Sequence, residues 1–391
     1  MGGETGPPEA GTGQVFPDQY DQQLQAKLAH VRELFAGQPL PEIEVFKSST
    51  EHFRMRTEFR VWLQQDEAYY VMFEKNERNG SLEELLFPVA SQLICELMPL
   101  LRKELVAHPE LRDKVFQVRG PGANFHSTLS KQAMITLVYR RQLDDVWREA
   151  ARALRSRLLK ALGPGACSEL HIVGRSRKQK VCIDADHVFE RMEVAGRSFE
   201  YMQVEGGFSQ PNGGVCQHML SWAVDATKGS SGDLLELYCG NGNFTVPLAQ
   251  NFKQVVATEV SKASVAAARH NIAANSTDNI FLARMSSEEF TETWKVKGTR
   301  NRLSGLDWEQ LSLDTLFVDP PRAGLDPATE QMLQDFEQVV YISCNPETLA
   351  NNLRSVAHSH DIVRMAVFDQ FPYTEHIEAG VVIKRKRDAA V

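Results

Sequence analysis

From about residue 206 onward, short apolar runs alternate with amphipathic segments, and this rhythm limits the possible folds more than any other feature of the chain. The apolar runs have the length of buried strands; they are DLLELYC, QVVATEV, NIFLARM, LDTLFVDPP and VVYISCNP. Strands that alternate with helices pair mainly in parallel, because each helix returns the chain to the starting edge of the sheet. The pattern predicts a doubly wound α/β sheet over residues 201–391, closed by a final strand pair.

The preceding part of the chain has no such regular order. Residues 18–36 have helical periodicity, FRMRTEFRVWLQQDEAYYVMFE alternates like a β-hairpin, and DVWREAARALRSRLLKAL is a helix stopped by Gly163 and Pro164. Further strand-like runs follow, so residues 16–200 are predicted to form an α+β domain. Residues 1–15 are rich in Gly and Pro and are expected to form a flexible tail. They lack the basic region and apolar core of a secretory signal.

The cysteines are used in a way that argues against disulfides and metals. The six of them are scattered, without a CxxC pair or a Cys/His cluster at zinc-ligand spacing. This distribution is typical of a reducing compartment, so we expect a cytoplasmic protein that holds no metal. The sequence also lacks an apolar run of membrane-spanning length, and no membrane partner is expected.

The charge of the chain is unevenly distributed. The net charge is −8, yet residues 101–180 contain 17 Lys and Arg against 7 Asp and Glu. A basic region in an acidic chain is typical of a surface that binds a polyanion. The alternative is that these side chains belong to solvated helix faces.

Glycines follow the first strand of the alternating part, in LLELYCGNGNF. Gly240 and Gly242 let the backbone approach a ligand, but Thr245 stands where a dinucleotide fingerprint has its third glycine. The second strand ends in Glu259, which can accept hydrogen bonds from a ribose diol. A nucleoside ligand without a pyrophosphate fits this pattern, which favours S-adenosylmethionine over a nicotinamide. The alternative is that Glu259 is an ordinary exposed acid.

The segment FVDPPRAGLD ends another strand. Its two prolines hold the chain extended, so Asp319 is presented rigidly at the strand end. In enzymes that methylate exocyclic amines, a related Asp-Pro-Pro motif is followed by an aromatic residue. Arg322 occupies that place here, which favours carbon over nitrogen as the methyl acceptor.

Cys344 follows the apolar part of the run VVYISCNP and allows two interpretations. It could be a small buried hydrophobic residue, as free cysteines often are. Alternatively it is a nucleophile, because C5 of uracil reacts with a methyl donor only after a thiolate has added to C6. A base must then remove the C5 proton before the thiolate can leave. Glu378, in FPYTEHIEAG, is the candidate base.

Six segments together resemble the RNA m5U methyltransferase family, and in particular its bacterial tRNA (uracil-5-)-methyltransferase branch. They are GGFSQPN, LLELYCGNGNF, ATE, FVDPPRAGLD, YISCNPETL and DQFPYTEHIE. The resemblance covers nearly all of the chain after about residue 15. It implies a class I S-adenosylmethionine-dependent methyltransferase, with a Rossmann-like sheet and an N-terminal α+β RNA-binding domain. The implied reaction is methylation of C5 of the T-loop uridine, position 54 of tRNA, through a covalent adduct between cysteine and C6.

The resemblance also assigns roles to individual residues. Cys344 is expected to be the nucleophile and Glu378 the base. The expected cofactor contacts are Gln210, Tyr238, Asn243, Glu259 and Asp319. His376 is expected to be a positioning or structural residue and not the base. Glu375 is expected to be a solvated neighbour of the site, and Cys239 a packing residue.

The same resemblance bears on the RNA partner. Relatives that act on ribosomal RNA carry an N-terminal iron–sulfur cysteine cluster, whereas the first cysteine here is Cys95. We therefore expect no cluster, and a monomer that binds the T-arm of tRNA and also other RNAs with a T-like loop. Methylation of ribosomal RNA, or assistance to tRNA folding with methylation secondary, stay open as alternatives. The candidate RNA contacts are Arg54, Arg56, Arg60, Phe116, Arg140 and Arg141.

Overall fold

The computed structural model describes residues 13–64, 67–71, 87–115, 122–296 and 301–387. The strands in these ranges are β1 (Ile43–Phe46), β2 (Arg56–Gln64), β3 (Glu67–Val71), β4 (Ala123–Ser127), β5 (Gln132–Val138), β6 (Glu169–Ser176), β7 (Gln179–Ile183), β8 (His187–Val194), β9 (Arg197–Val204), β10 (Asp233–Leu237), β11 (Val255–Glu259), β12 (Ile280–Arg284), β13 (Leu313–Val318), β14 (Gln338–Ser343), β15 (His360–Phe368) and β16 (Glu378–Arg385). The helices are α1 (Tyr20–Leu34), α2 (Gln92–Ala107), α3 (Pro109–Arg112), α4 (Asp145–Leu162), α5 (Gly213–Ala226), α6 (Thr245–Leu248), α7 (Lys262–Ala274), α8 (Ser287–Lys295), α9 (Pro327–Met332) and α10 (Pro346–Val356).

Internal contacts divide the chain into two compact units. The first unit contains Ser49–Arg191 and Met202–Gly213, together with the described part of Met1–Asp18. The second unit contains Gln19–Ser48, Met192–Tyr201 and Gly214–Val391.

This division differs from the predicted domains, 16–200 and 201–391, in the place of three segments. Residues 19–48 belong to the second unit, because β1 pairs in parallel with β15 and extends that unit's sheet. Residues 192–201 also belong to it. Residues 202–213 belong to the first unit, where the Met55 N–H donates to the Pro211 carbonyl, 2.7 Å away. Neither pairing has a local sequence signal, since each partner lies more than a hundred residues away.

The second unit is built on an eight-stranded sheet in the order β1-β15-β16-β14-β13-β10-β11-β12. Every neighbouring pair is parallel except the two pairs that β16 makes, so seven strands share one direction. The central strands β10 and β14 are buried along their whole length. A continuous apolar cluster packs α5 against this sheet. The predicted doubly wound, mainly parallel sheet is confirmed.

The helices that follow β11, β12, β13 and β14 all begin with a polar cap. Ser261 caps α7, Ser286 forms a capping box with α8, Asp326 caps α9, and Asn345 caps α10. Each cap satisfies backbone N–H groups that would otherwise lack partners in the first turn. Because these helices start where the strands end, their N-terminal turns lie along the carboxyl edge of the sheet.

The first unit contains a six-stranded sheet in the order β3-β2-β4-β5-β6-β7. The pairs are antiparallel apart from β5 and β6, which α4 connects. Helix α4 begins at Asp144, whose carboxylate accepts from the Trp147 N–H, and the fully buried Trp147 anchors it on the sheet. The expected α+β character of this part is thus observed. Across both units, no described helix is long and apolar enough to cross a membrane.

Candidate active site

The carboxyl edge of the eight-stranded sheet gathers most of the residues that the sequence singled out. Strands β14, β13, β10 and β11 run in parallel and end there. The residues at or directly after these ends are Cys344, Asp319, Tyr238 and Glu259. Strand β16 runs the other way, so its first residue, Glu378, lies at the same edge.

The pairing of β14 with β16 sets Cys344 beside Glu378. Ser343 pairs with Ala379 in this antiparallel ladder. Cys344 directly follows β14 and Glu378 begins β16, so both lie just beyond this last pair at the carboxyl edge. The electrostatic influence of the Glu378 carboxyl on the pKa of the Cys344 thiol reflects this proximity.

The acidic groups of this cluster oppose one another's ionisation. Burial raises the pKa of the Cys344 thiol to about 11; the Glu378 and Asp319 carboxyls add to this, whereas the Arg322 guanidinium opposes it. Burial raises the pKa of Asp319 to about 7. Burial and the nearby Asp319 raise the pKa of Glu378 well above its ordinary value. The resting site therefore favours the thiol and the protonated Glu378, and a cation beside them would favour the ionised forms.

Glu378 combines deep burial with an unused hydrogen-bonding atom. The residue is only 4% exposed, and its Oε2 has no hydrogen-bond partner among the described residues. A buried carboxyl oxygen without a partner is costly, and such atoms occur where a site awaits a ligand. Once it is ionised, Glu378 can therefore accept a proton from a molecule bound at this edge.

The loop after β10 has the backbone form that a close ligand requires. Tyr238, Gly240 and Gly242 all have positive φ angles, of 62°, 58° and 82°. Glycine adopts such angles without strain, whereas Tyr238 does so at a cost, which is typical of residues at functional sites. A Cβ atom at Gly240 would have no protein atom within 4 Å, so open space lies beside this turn.

Glu259 fits the role of a diol acceptor. Its Oε2 accepts from the Gly240 N–H at 3.1 Å and its Oε1 from the Ser261 N–H at 2.7 Å. Each carboxylate oxygen can accept more than one hydrogen bond, so both retain capacity for a hydroxyl donor. The carboxylate therefore shapes the glycine loop and still has the lone pairs that a ribose needs.

Tyr238 and Asn243 are held by partners within the second unit. The Tyr238 hydroxyl donates to Asp326 Oδ2 at 3.3 Å, and the same oxygen accepts from the hydroxyls of Ser287 and Thr329. The Asn243 amide contacts the Cys216 sulfur at 3.5 Å. Their roles as cofactor contacts stay predictions. The sequence reasoning missed Asp326, although a lone Asp before Pro is a recognisable helix-cap signal.

Gln210 lies in the first unit, in the segment Met202–Gly213. Arg56 fixes this segment by donating to the Gly207 carbonyl at 2.7 Å and to Ser209 Oγ at 3.4 Å. Phe208, between these two contacts, is 74% exposed. The segment is thus well anchored yet presents an aromatic ring to solvent. The predicted cofactor role of Gln210 stays a prediction.

Three of the arginines proposed to meet RNA have structural partners: Arg56, with the bonds to Gly207 and Ser209 described above, and also Arg54 and Arg141. Arg54 donates through Nε to the Arg56 carbonyl at 2.9 Å. Arg141 donates to the carbonyls of Glu110 and Asp113 and faces the Tyr139 ring. Removing either side chain would therefore disturb the first unit itself.

The remaining candidates, Arg60 and Arg140, stay predictions, and Phe116 lies outside the described residues. The charge of the first unit is more balanced than the 101–180 stretch suggests. Arg155, Arg175 and Lys180 pair with carboxylates that follow residue 180 in the chain. Part of the excess of Lys and Arg over residues 101–180 therefore arises because their partner carboxylates lie just outside that range.

The remaining polar and sulfur groups near the motifs fit supporting roles. His376 Nδ1 lies 3.5 Å from an Arg322 nitrogen, and its ring meets Phe371 edge to face. Glu375 is exposed, and Cys239 is buried within the apolar cluster of the second unit. No three or more His, Cys, Asp and Glu side chains are grouped to hold a metal ion anywhere in the described ranges.

Known proteins resemble the chain over nearly its whole length. The family model described as tRNA (Uracil-5-)-methyltransferase matches residues 19–386. A protein of Vibrio parahaemolyticus named tRNA/tmRNA (uracil-C(5))-methyltransferase is 49% identical over 374 residues, covering 95% of this chain and 98% of that protein. A protein of the same name from Shewanella amazonensis is 50% identical over 370 residues, with the same coverage.

Among solved structures, the Pyrococcus abyssi tRNA (uracil-54, C5)-methyltransferase in complex with S-adenosyl-L-homocysteine superimposes with a TM-score of 0.68. The match covers 93% of this chain and 83% of that one at 20% identity. At this identity the likeness bears on the fold alone. It confirms the predicted fold class, a Rossmann-like methyltransferase sheet.

Proposed function

The chain belongs to the tRNA (uracil-5-)-methyltransferase family, and from that premise we propose that it transfers a methyl group from S-adenosylmethionine to C5 of a uridine in tRNA. The observation that carries this proposal is the juxtaposition of Cys344 and Glu378 at the carboxyl edge of the sheet. A nucleophile and a base side by side are what uracil C5 methylation demands. Ligands of doubly wound sheets bind at this edge.

The second unit has residues that fit the methyl donor. Glu259 has acceptor capacity for the ribose hydroxyls, and the turn at Gly240 leaves open space beside it. Tyr238, Asn243 and Asp319 border the same edge. When bound, S-adenosylmethionine supplies an electrophilic methyl group on a positively charged sulfur.

Cys344 begins the reaction on the uracil. Its thiol releases its proton to solvent, and the thiolate forms a bond to C6 as the C5–C6 double bond opens and its electron pair moves to C5 and the neighbouring carbonyl. The high pKa of the thiol means that few molecules are ionised at neutral pH, so the site must favour the thiolate when substrate is bound. Among the described residues, the positively charged Arg322 guanidinium lowers the thiol pKa.

Glu378 completes the reaction. Once C5 carries the methyl group, the ionised carboxylate takes the C5 proton, the C5–C6 double bond re-forms, and the Cys344–C6 bond breaks to release the thiolate. A carboxylate with a raised pKa binds that proton more strongly than an ordinary one, and it is therefore a better base. The buried position of Glu378 also keeps water from competing for the proton.

We further propose that the target is the T-loop uridine, position 54, and that the protein works in the cytoplasm. A uracil within a folded loop must leave its stack to reach Cys344, so base extrusion accompanies binding. The names of the relatives, which include tmRNA as well as tRNA, support a substrate with a T-like loop. The six cysteines are free, which supports a reducing compartment.

The test uses unmodified tRNA and S-adenosylmethionine labelled in the methyl group. We expect one labelled nucleotide per tRNA, 5-methyluridine at position 54, and label in tmRNA as well. Ribosomal RNA serves as the competing substrate. Label in ribosomal RNA alone, or on another atom of the tRNA, would overturn the proposal.

A further inference from the structure

A buried ion pair joins the first helix of the chain to the residue that follows β15. Lys27 Nζ on α1 lies 2.7 Å from Asp369 Oδ1, and the two side chains are 6% and 1% exposed. The same ammonium donates to the Phe371 carbonyl at 2.8 Å. Lys27 therefore holds both a side chain and a backbone carbonyl of one short segment.

That segment is the β15–β16 loop, residues 369–377, which ends at Glu378. It starts and finishes at the carboxyl edge of the sheet, because β15 ends there and β16 begins there. Phe371 and His376 are parts of this loop, and His376 lies beside Arg322. Movement of the loop would therefore alter the surroundings of Glu378, although the sheet holds its backbone.

Residues 19–48 make further contacts with the same loop. The Tyr20 ring meets the Tyr373 ring edge to face, with centroids 6.1 Å apart. Tyr373 has a φ of 63°, a strained angle for tyrosine that surrounding contacts must maintain. The Asp369 N–H donates to the Phe46 carbonyl at 3.0 Å, at the end of β1. The first helix and strand thus hold the loop at its start and near its middle.

Stability alone does not account for a buried lysine at this place. Removing two charges from water costs about as much as their attraction returns, and apolar replacements of buried pairs are often equally stable. In some proteins, however, such a pair selects one arrangement of the segments it joins. Here the pair joins α1 to the β15–β16 loop, and this loop leads directly to Glu378, the proposed base.

We propose that Lys27 is a positioning residue for methyl transfer: by holding Asp369 and Phe371, it fixes the β15–β16 loop in the arrangement that Glu378 needs. This proposal rests on the proposed function. Lys27 contacts the loop and acts through it, without touching the reacting uracil. The step that depends on it is removal of the C5 proton and release of Cys344.

The test compares the Lys27→Met variant with a double variant, Lys27→Met with Asp369→Leu, which leaves no unpaired charge. Glu44→Gln is the matched control, because Glu44 ties β1 to β15 through Arg364 at 2.9 Å without contacting the loop. The thermal midpoint, the turnover rate on tRNA and the fraction of protein held in the covalent RNA adduct are measured for each. Hydrogen exchange of residues 369–377 is measured on the free protein.

We expect turnover to fall by about 10²-fold in both Lys27 variants, as misplacement of a catalytic group by about 1 Å can cause. The adduct should accumulate, and exchange of the loop should increase. The double variant should recover most of the thermal midpoint but not the turnover. Glu44→Gln should lower the midpoint only.

Wild-type turnover in a stable double variant would overturn the proposal, as would slow turnover without accumulation of the adduct. Unchanged hydrogen exchange in the loop would overturn it too. Failure of the wild-type protein to methylate tRNA would instead count against the proposed function, and the exchange measurement would still report on the loop.

Discussion

Cys344 and Glu378 each lie one residue beyond Ser343 and Ala379, the last pair of the antiparallel β14–β16 ladder, and the Glu378 carboxyl raises the pKa of the Cys344 thiol. The pairing of the two strands brings both residues to the same edge of the sheet, so their proximity does not depend on a loop alone. Because 34 positions separate them in the chain, only the pairing of β14 with β16 brings them together. The arrangement suits a reaction in which one group attaches the uracil and its neighbour releases it.

Replacing the nucleophile should remove the chemistry and leave cofactor binding intact. We expect Cys344→Ala to abolish methyl transfer, because no bond to C6 can form, while calorimetry shows unchanged binding of S-adenosylmethionine. RNA with 5-fluorouridine at the target should trap the wild-type protein as an adduct on a denaturing gel, since fluorine is not removed as a proton is. Cys167→Ala, a half-buried cysteine of the first unit, is the control and should form the adduct normally.

Replacing the base should divide the reaction into its two halves. Glu378→Gln keeps the shape of the side chain but cannot accept the C5 proton. Addition and methylation should proceed while release stalls, so a methylated protein–RNA adduct should accumulate. Glu375→Gln, an exposed change in the loop that precedes Glu378, should turn over normally. Normal turnover of Glu378→Gln would show that another group, with His376 next in line, removes the proton.

Glu259 should matter for the cofactor more than for RNA. Loss of its carboxylate removes the proposed diol contact and the bonds to the N–H groups of Gly240 and Ser261. We expect Glu259→Ala to weaken S-adenosylmethionine binding by about 1.5–3 kcal/mol, the usual contribution of a charge-assisted hydrogen bond. Calorimetry with the cofactor, and filter binding with tRNA, measure the two affinities. Equal cofactor affinity in the variant would place the ribose elsewhere.

The thiol of the free protein should react slowly at neutral pH and faster in alkali. The pKa of Cys344 is raised to about 11, and the thiolate is the reactive form, so alkylation should increase as pH rises towards that value. The rate is measured with iodoacetamide and mass spectrometry of the peptide that contains Cys344. Since like-charged carboxyls raise this pKa, Glu378→Gln should move the midpoint to lower pH. A midpoint near 8 in the wild-type protein would contradict this electrostatic account.

The two neighbouring arginines of the first unit should behave differently. Arg141→Ala should lower thermal stability, because Arg141 bonds to the carbonyls of Glu110 and Asp113. Arg140→Ala should flatten the dependence of log K for tRNA on log salt by about 0.7–0.9, the value for one phosphate contact. An unchanged slope would remove Arg140 from the RNA-binding surface.

Much of the second unit was predictable from local patterns. Apolar runs of strand length that alternate with amphipathic helices specify a parallel sheet, and parallel strands end at one edge. Cys344, Asp319, Tyr238 and Glu259 each stand at such an end, so their meeting follows from topology once the order of strands is known. The chemistry of thiol and carboxylate then restricts the reaction.

Other features depended on contacts between distant parts of the chain. The sequence of residues 19–48 shows a helix but not that β1 would pair with β15, or that Lys27 would meet Asp369 across 342 positions. Nor did it show that Arg54 and Arg141 would bond to backbone carbonyls. Periodicity records which face of an element is buried, because burial is a property of each residue. Periodicity does not identify the segment that packs against that face, because many apolar or charged surfaces could do so. Only the folded chain shows which segment it is.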